Sequence, residues 1–224
     1  MSNWLIALIP AYNEAARVGD VVARTRPHVN EVVVIDDGSD DDTAAVAEKA
    51  GARVLRHERN RGKGGAIATA LDDFERSKAE FAIFLDADGQ HDPAEIGKFV
   101  EAAERENADV VVGSRMEDVR HMPRARLWTN RFTSWVTGKL AGQKIADSQC
   151  GYRLLRRAVL KDFKFSTARF ETETEMLIQA GRAGRKITNV RIRTIYETGR
   201  ASRIRPWRDT VRFFKLVAKY WQGP

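Results

Sequence analysis

Residues 84–93 read FLDADGQHDP. An apolar run ends there in two carboxylates one residue apart, with a Gly-Gln-His turn and a Pro behind them. Like charges at the end of a buried strand repel each other, and burial penalises both. Either Asp86 and Asp88 belong to a solvated turn with a cap at Asp92, or a positive group sits between them. Asp86, Asp88 and Gln90 alternate, so their oxygens can converge on one hard cation. Oxygen-only ligands favour Mg2+ or Mn2+ over Zn2+ and leave positions for phosphate and water.

Working outward, short β-branched runs alternate with helix-like segments, the pattern of parallel β-α units. The expected strands are 4–9, 31–36, 53–57, 81–86 and 109–113; helical spacing covers 14–26, 43–50, 64–77 and 93–106. This predicts an α/β fold, a three-layer doubly wound and mostly parallel sheet. After residue 114 the alternation stops, and the expected elements are a helix over 124–141, strands at 151–156 and 187–195, and helices over 172–183 and 206–221. We read one domain over 1–224, with a nucleotide-binding half to 114, an acceptor half over 115–205 and a C-terminal amphipathic helix over 206–221.

In open α/β sheets ligands bind beyond the carboxyl ends of the strands. The polar clusters fall there: PAYNE (10–14), DDGSDDDT (36–43), NRGKGGA (60–66) and DADGQH (86–91). Tyr12, Asn13 and Glu14 can flank a nucleobase and ribose, or simply open a helix. Asp36 or Asp37 can accept hydrogen bonds from a base, while Asp40, Asp41 and Asp42 cap a helix and face water. The Gly-rich NRGKGGA suits close approach to phosphate with Lys63 as a point charge, but it lacks the spacing of a P-loop.

The 224 residues carry a formal net charge of +7, which points to an anionic partner. The single Cys150 excludes an intramolecular disulfide framework and fits a reducing compartment. Residues 1–10 hold an apolar run too short for the core of a signal peptide, and no stretch is apolar enough to span a membrane. Carboxylates at four strand ends would repel a phosphate backbone, which argues against nucleic acid.

Taken together, IPAYNE, VVVIDDGSDDDT, NRGKGGAIATA, FLDADGQHDP, VVGSR and DSQCGYRLLRR resemble, in order and spacing, the glycosyltransferase A fold and its family 2. The nearest resemblance is to the polyprenyl-phosphate (dolichol-phosphate) mannose or glucose synthases. It implies that Pro10, Tyr12, Glu14 and Asp37 line the pocket of a UDP- or GDP-hexose, with Lys63 on its phosphates. It further implies that Asp86, Asp88 and Gln90 hold Mg2+ or Mn2+ on the diphosphate, and that Arg115, Arg126 and Asn130 clamp the acceptor phosphate. Arg200, Ser202 and Arg203 would fold over the diphosphate from a basic loop. Asp88, Arg115 and Asp147 are the expected catalytic residues; Asp147 orients the site, with a general-base role as the alternative. A phosphate acceptor is already an anion and needs no base, whereas a saccharide hydroxyl acceptor needs one.

The carboxylates of FETETEM (170–176) are read as helix-start charges, with Glu173 the one that can face the site. In the last helix Trp207, Val211, Phe214, Val217 and Trp221 form one apolar stripe, and Arg208, Arg212, Lys215 and Lys219 lie mostly elsewhere. A basic amphipathic helix of this kind suits an anionic membrane surface. Packing on the core or on a second subunit is the other reading, so a homodimer is open, and the expected place of work is the cytoplasmic face of a membrane. The rival activities are transfer to a saccharide hydroxyl on the same fold, and sugar nucleotide synthesis.

Overall fold

Val32, Val33, Val34 and Ile35 are consecutive β-branched residues, and all are buried. A run that is apolar on both faces belongs to a strand covered by helices on both sides. The computed structural model describes residues 4–116, 124–165, 167, 169, 171–193 and 206–221. The chain runs β1 (Leu5–Ala11), α1 (Ala15–Thr25), β2 (Glu31–Asp36), α2 (Thr43–Lys49), β3 (Arg53–Arg56), α3 (Lys63–Arg76), β4 (Phe81–Phe84) and α4 (Ile96–Arg105). It continues with β5 (Val110–Ser114), α5 (Arg124–Ala141), β6 (Arg153–Arg156), α6 (Glu171–Arg182), β7 (Ile187–Arg191) and α7 (Pro206–Trp221).

The strands form one sheet of seven in the order β3-β2-β1-β4-β6-β5-β7. Neighbours are parallel except β6, which lies between β4 and β5 and is antiparallel to both. The expected mostly parallel sheet is present. Helix α1 buries Val18, Val21, Val22 and Thr25, spaced to form one stripe, and α4 buries Ile96, Phe99, Ala102 and Ala103 in the same way. Deletion of any large side chain here, such as Phe99→Ala, is expected to cost roughly 3–5 kcal/mol.

Two boundaries differ from the sequence expectation for local reasons. The fourth strand ends at Phe84 rather than Asp86, because the Asp86 N–H turns away to His91 Nδ1 at 3.2 Å. The following helix starts as a 3-10 turn, Pro93–Glu95, where Pro stands in the first turn and the Asp92 carboxylate accepts the Ala94 N–H.

A second apolar cluster, Val136, Leu140, Ile178, Phe213 and Leu216, ties α5, α6 and α7 together. This adds an inward face to the expected stripe on α7. The helix packs through Phe213 and Leu216, with Val217 and Tyr220 partly buried beside them. Val211, Phe214 and Trp221 are exposed, and the Trp207 side chain lies outside the described residues. The helix therefore has two apolar faces, one inward and one outward. Among the described residues no helix is long and apolar enough to cross a membrane.

Candidate active site

The loops after β1 and β2 are knitted to each other. Ser39 Oγ accepts the Asn13 N–H at 2.9 Å, Asn13 Oδ1 accepts the Asp40 N–H at 2.9 Å, and Thr43 Oγ1 accepts the Glu14 N–H at 2.8 Å. Asn13 adopts φ +52°, a conformation that Asn tolerates better than most residues. Gly38, at φ +71°, lies so close to the Arg59–Asn60 backbone that a Cβ would sit 2.6 Å from the Arg59 carbonyl carbon. Together these bonds hold half-buried Pro10 and Tyr12 and buried Glu14 beside the β2 loop.

Both carboxylates after β2 are buried and engaged by the chain. Asp36 Oδ1 accepts the Ser39 N–H at 3.0 Å, and its Oδ2 lies 3.2 Å from Arg56 Nε. Asp37 Oδ1 accepts the Arg61 N–H at 2.8 Å and meets His57 Nδ1 at 2.7 Å, while Oδ2 accepts the Gly62 N–H at 2.8 Å. Asp37 thus shapes the Gly-rich loop, a task the motif reading missed. His57, which meets Thr69 Oγ1 through its other nitrogen at 2.9 Å, was missed as well.

The Gly-rich loop delivers Lys63 as the first residue of α3. Its Nζ lies 2.7 Å from Asp86 Oδ1 and 3.2 Å from Glu173 Oε2. Burial pushes the Asp86 carboxyl up, but Lys63, with Arg115 behind it, outweighs burial and holds it well below the usual carboxylate range. Asp86 is therefore ionised and 30% exposed at the end of β4. One residue on, Asp88 Oδ1 accepts the Gln90 N–H at 3.0 Å. Among the described residues no three His, Cys, Asp or Glu side chains cluster as a closed metal site. Two carboxylates beside a half-buried amide fit a partly hydrated Mg2+ or Mn2+, which keeps water and phosphate ligands.

Two supports of Asp86 escaped sequence reading. Buried His91 stacks on Tyr152, centroids 4.9 Å apart, and Tyr152 in turn donates its hydroxyl to the Asp92 carbonyl at 3.1 Å. Burial lowers the His91 pKa, and Asp86 opposes this only in part. The imidazole is assigned neutral, Nδ1 accepting from the Asp86 N–H and Nε2–H turned toward Asp86 Oδ2 at 3.9 Å. On the other side, Gly151 packs against the carboxylate, and a Cβ there would sit 2.8 Å from Asp86 Oδ2.

At the end of β5, Arg115 forms a buried two-pronged pair with Asp147: Nε to Oδ2 at 2.7 Å and Nη2 to Oδ1 at 3.0 Å. Asp147 is fully buried, and its Oδ1 also accepts the Gln149 N–H at 3.2 Å. The next residue is pinned to α5, since Ser134 Oγ accepts the Ser148 N–H at 2.8 Å. One turn earlier on α5, Asn130 is buried with an Nδ2 that has no hydrogen-bond partner among the described residues. Arg126, a further turn back, is exposed. Arg200, Ser202 and Arg203 lie outside the described residues.

Fully buried Arg153 was not singled out from the sequence. It donates to the Ser148 and Cys150 carbonyls at 2.7 Å each and to the carbonyl of Glu173. The FETETEM reading is half corrected. Glu173 faces the site, but Glu175 is no solvated helix-start charge: it is fully buried, meeting Thr167 Oγ1 at 2.7 Å, Tyr220 Oη at 3.0 Å and Lys219 Nζ at 3.1 Å.

Comparison with known proteins agrees with this architecture. The family model described as "Glycosyl transferase family 2" matches residues 6–163. An uncharacterized protein of Methanocaldococcus jannaschii is 34% identical over 223 residues, covering 96% of this chain and 90% of its own. The UDP-N-acetylglucosamine–dolichyl-phosphate N-acetylglucosaminyltransferase of Methanococcus voltae is 32% identical over 220 residues and covers 88% of each chain. A polyprenol monophosphomannose synthase of Mycolicibacterium smegmatis is 31% identical over 173 residues, covering 72% of this chain and 64% of its own. Among solved structures, glucosyl-3-phosphoglycerate synthase of Mycobacterium tuberculosis, crystallised with Mn2+, UDP and phosphoglyceric acid, superposes with a TM-score of 0.71 at 22% identity, over 98% of this chain and 78% of that one. At that identity the likeness shows the fold alone. With its glycosyltransferase A sheet and the match over most of its length, the chain belongs to the family 2 glycosyltransferases.

Proposed function

We propose that this glycosyltransferase moves one sugar of hexose size from a UDP- or GDP-sugar to a polyprenyl phosphate, inverting the anomeric carbon. The observation that carries the reading is the Arg115–Asp147 pair. Both Asp147 oxygens are taken by the guanidinium and the group is fully buried. It is built to aim a cation, not to accept a proton from a sugar hydroxyl, so an acceptor that arrives as an anion suits the site. The relatives named as dolichyl-phosphate and polyprenol-phosphate transferases support the same class of acceptor.

The chain's own residues then divide the work. Pro10, Tyr12 and Glu14 line the base and ribose pocket, whose wall Asp37 holds in shape through the Gly-rich loop. Asp86, Asp88 and Gln90 would hold a Mg2+ or Mn2+ ion, which when bound supplies positive charge to the leaving diphosphate. Lys63 adds a second positive charge there. Arg115, with Arg126 and the Asn130 amide, whose Nδ2 has no partner among the described residues, receives the acceptor phosphate. One phosphate oxygen attacks the anomeric carbon as the bond to the diphosphate breaks, giving a sugar phosphodiester and a nucleoside diphosphate with no proton to be removed.

The acceptor's hydrocarbon chain requires a lipid surface, and α5 and α7 offer one. Trp128 is 71% exposed, Trp135 61% and Trp221 72%. Phe132 of α5 lies 6.5 Å from Trp135 and 6.4 Å from Phe214 of α7, so the patch is continuous across both helices. These two helices carry eight basic residues and one acidic residue, equal to the +7 of the entire chain. The rest of the protein is formally neutral, so attraction to anionic lipid is concentrated where the aromatic rings are.

The test is a radiolabelled donor panel of UDP- and GDP-sugars with polyprenyl phosphate, free polyprenol and a soluble saccharide as acceptors. Lipid-phase product with polyprenyl phosphate alone supports the proposal. Product with the saccharide and none with the lipid phosphate would refute it.

A further inference from the structure

The Lys63 ammonium stands between two carboxylates from different parts of the chain. Asp86 follows β4, and Glu173 lies in the first turn of α6. Glu173 is held at its backbone too, since its carbonyl accepts from buried Arg153. Its side chain is 12% exposed and that of Lys63 21%, so water screens this three-charge row only weakly. A divalent cation on Asp86 would compete for the carboxylate that Lys63 now holds and would repel the ammonium.

We propose that Glu173 is a positioning residue that gives Lys63 a second place to put its charge: it draws the ammonium off Asp86 when a cation binds there, and keeps it within reach of the donor diphosphate. The proposal rests on the reading of Asp86 as a cation ligand. Without Glu173, the Lys63 ammonium loses that second carboxylate, stays 2.7 Å from Asp86 Oδ1 and competes with the cation for it. Without Lys63, that competition ends and Glu173 has nothing to position.

Isothermal titration of the protein with Mn2+ and with Mg2+, without nucleotide, tests this on wild type, Lys63→Met, Glu173→Gln and the double variant. Lys63→Met is expected to bind Mn2+ about tenfold more tightly and Glu173→Gln about tenfold more weakly, the size of one near-surface charge contact. The double variant should match Lys63→Met. Glu173→Asp, which keeps the charge, should recover most of the wild-type affinity, and UDP affinity in saturating Mn2+ should fall in Glu173→Gln. Equal weakening by Glu173→Gln in both backgrounds would overturn the proposal, because Glu173 would then act on the cation directly; so would no change in either. If wild type binds neither Mn2+ nor Mg2+, the cation reading of Asp86 falls, and this inference with it.

Discussion

Asp147→Asn separates an orienting carboxylate from a general base. The change removes the charge of a fully buried group that faces a buried guanidinium at 2.7 and 3.0 Å, but keeps its shape and one acceptor oxygen. Leaving one partner of a buried pair uncompensated costs roughly 3–5 kcal/mol, and the surviving amide oxygen places Asn at or below the low end, about 2–3 kcal/mol. For a chain of this size each kcal/mol shifts Tm by roughly 2–4 °C, so a drop of about 5–10 °C is expected. Arg115 would also lose its aim. The loss of one well-placed charged hydrogen-bonding group is worth about 1.5–3 kcal/mol, or roughly 10–100-fold in kcat/KM for the acceptor. Donor affinity should stay within about twofold, since under the proposed function the nucleotide is held by Asp86 and Lys63 rather than by this pair. Thermal denaturation, acceptor-dependent kinetics and UDP titration measure the three quantities. A variant with wild-type Tm and acceptor KM but a near-total loss of kcat would show Asp147 to be a base and refute this reasoning.

Other perturbations test the remaining parts of the site. Gly151→Ala would drive a methyl to 2.8 Å from Asp86 Oδ2, so Mn2+-dependent UDP binding should fall at least about tenfold, while circular dichroism stays unchanged. Burial pushes the Cys150 thiol up to about 12 from its ordinary 9.0. The unfolded chain therefore loses that proton first, and the contribution is fully present below pH 9.0 and lost as pH rises toward about 12. Urea denaturation should accordingly show the stability of wild type falling relative to Cys150→Ala above pH 9.0, and iodoacetamide should label Cys150 only on unfolding. Trp128→Ser with Trp135→Ser should weaken sedimentation with anionic vesicles by about tenfold or more and leave UDP binding untouched, and equal pelleting would remove the membrane face. Analytical ultracentrifugation of the same pair reports whether these rings instead join a second copy of the chain.

The regular half of the molecule was legible because its signals are local. Val32–Ile35 needs no distant residue to be read as a buried strand, and Asp92-Pro93 marks its own helix start. The positions of Lys63, Asp86 and Arg115 beside the strand ends were also legible, since each closes or follows a recognisable motif there. What escaped were groups whose role depends on a partner far along the chain. Glu175 is a buried anchor only because Lys219 and Tyr220 come back to it from α7. Arg153 sits in a run, RLLRR, that gives no sign which arginine is buried; three carbonyls from two other segments decide it. The inward face of α7 was missed for a related reason. A helix with apolar residues on two faces has an ambiguous periodicity, and only the neighbours α5 and α6 select the inward one.

The direction of β6 explains why the Asp147–Gly151 segment, assigned to the acceptor under the proposed function, reaches the edge that holds Asp86. In a parallel sheet the active-site edge collects the loops that leave strands, and a loop that enters one lies at the opposite edge. Because β6 runs antiparallel, the segment that enters it, Asp147 to Gly151, lands on the same edge as the ends of β4 and β5. The register is specific: Arg153 pairs with Phe84 on one side and with Val112 on the other, just before Asp86 and Arg115. Two strand spacings of roughly 4.8 Å separate β4 from β5, so Asp86 and Arg115 are rooted about 10 Å apart. Adjacent strands would leave half that distance, too little for a sugar ring between two phosphates. Gly151 and Arg153, at the head of the inserted strand, set the Asp86 carboxylate and the Ser148 carbonyl beside Asp147 respectively. The inserted strand thus spaces the two half-sites and supports a residue in each, which is why substitutions at its first turn should disturb donor and acceptor binding together.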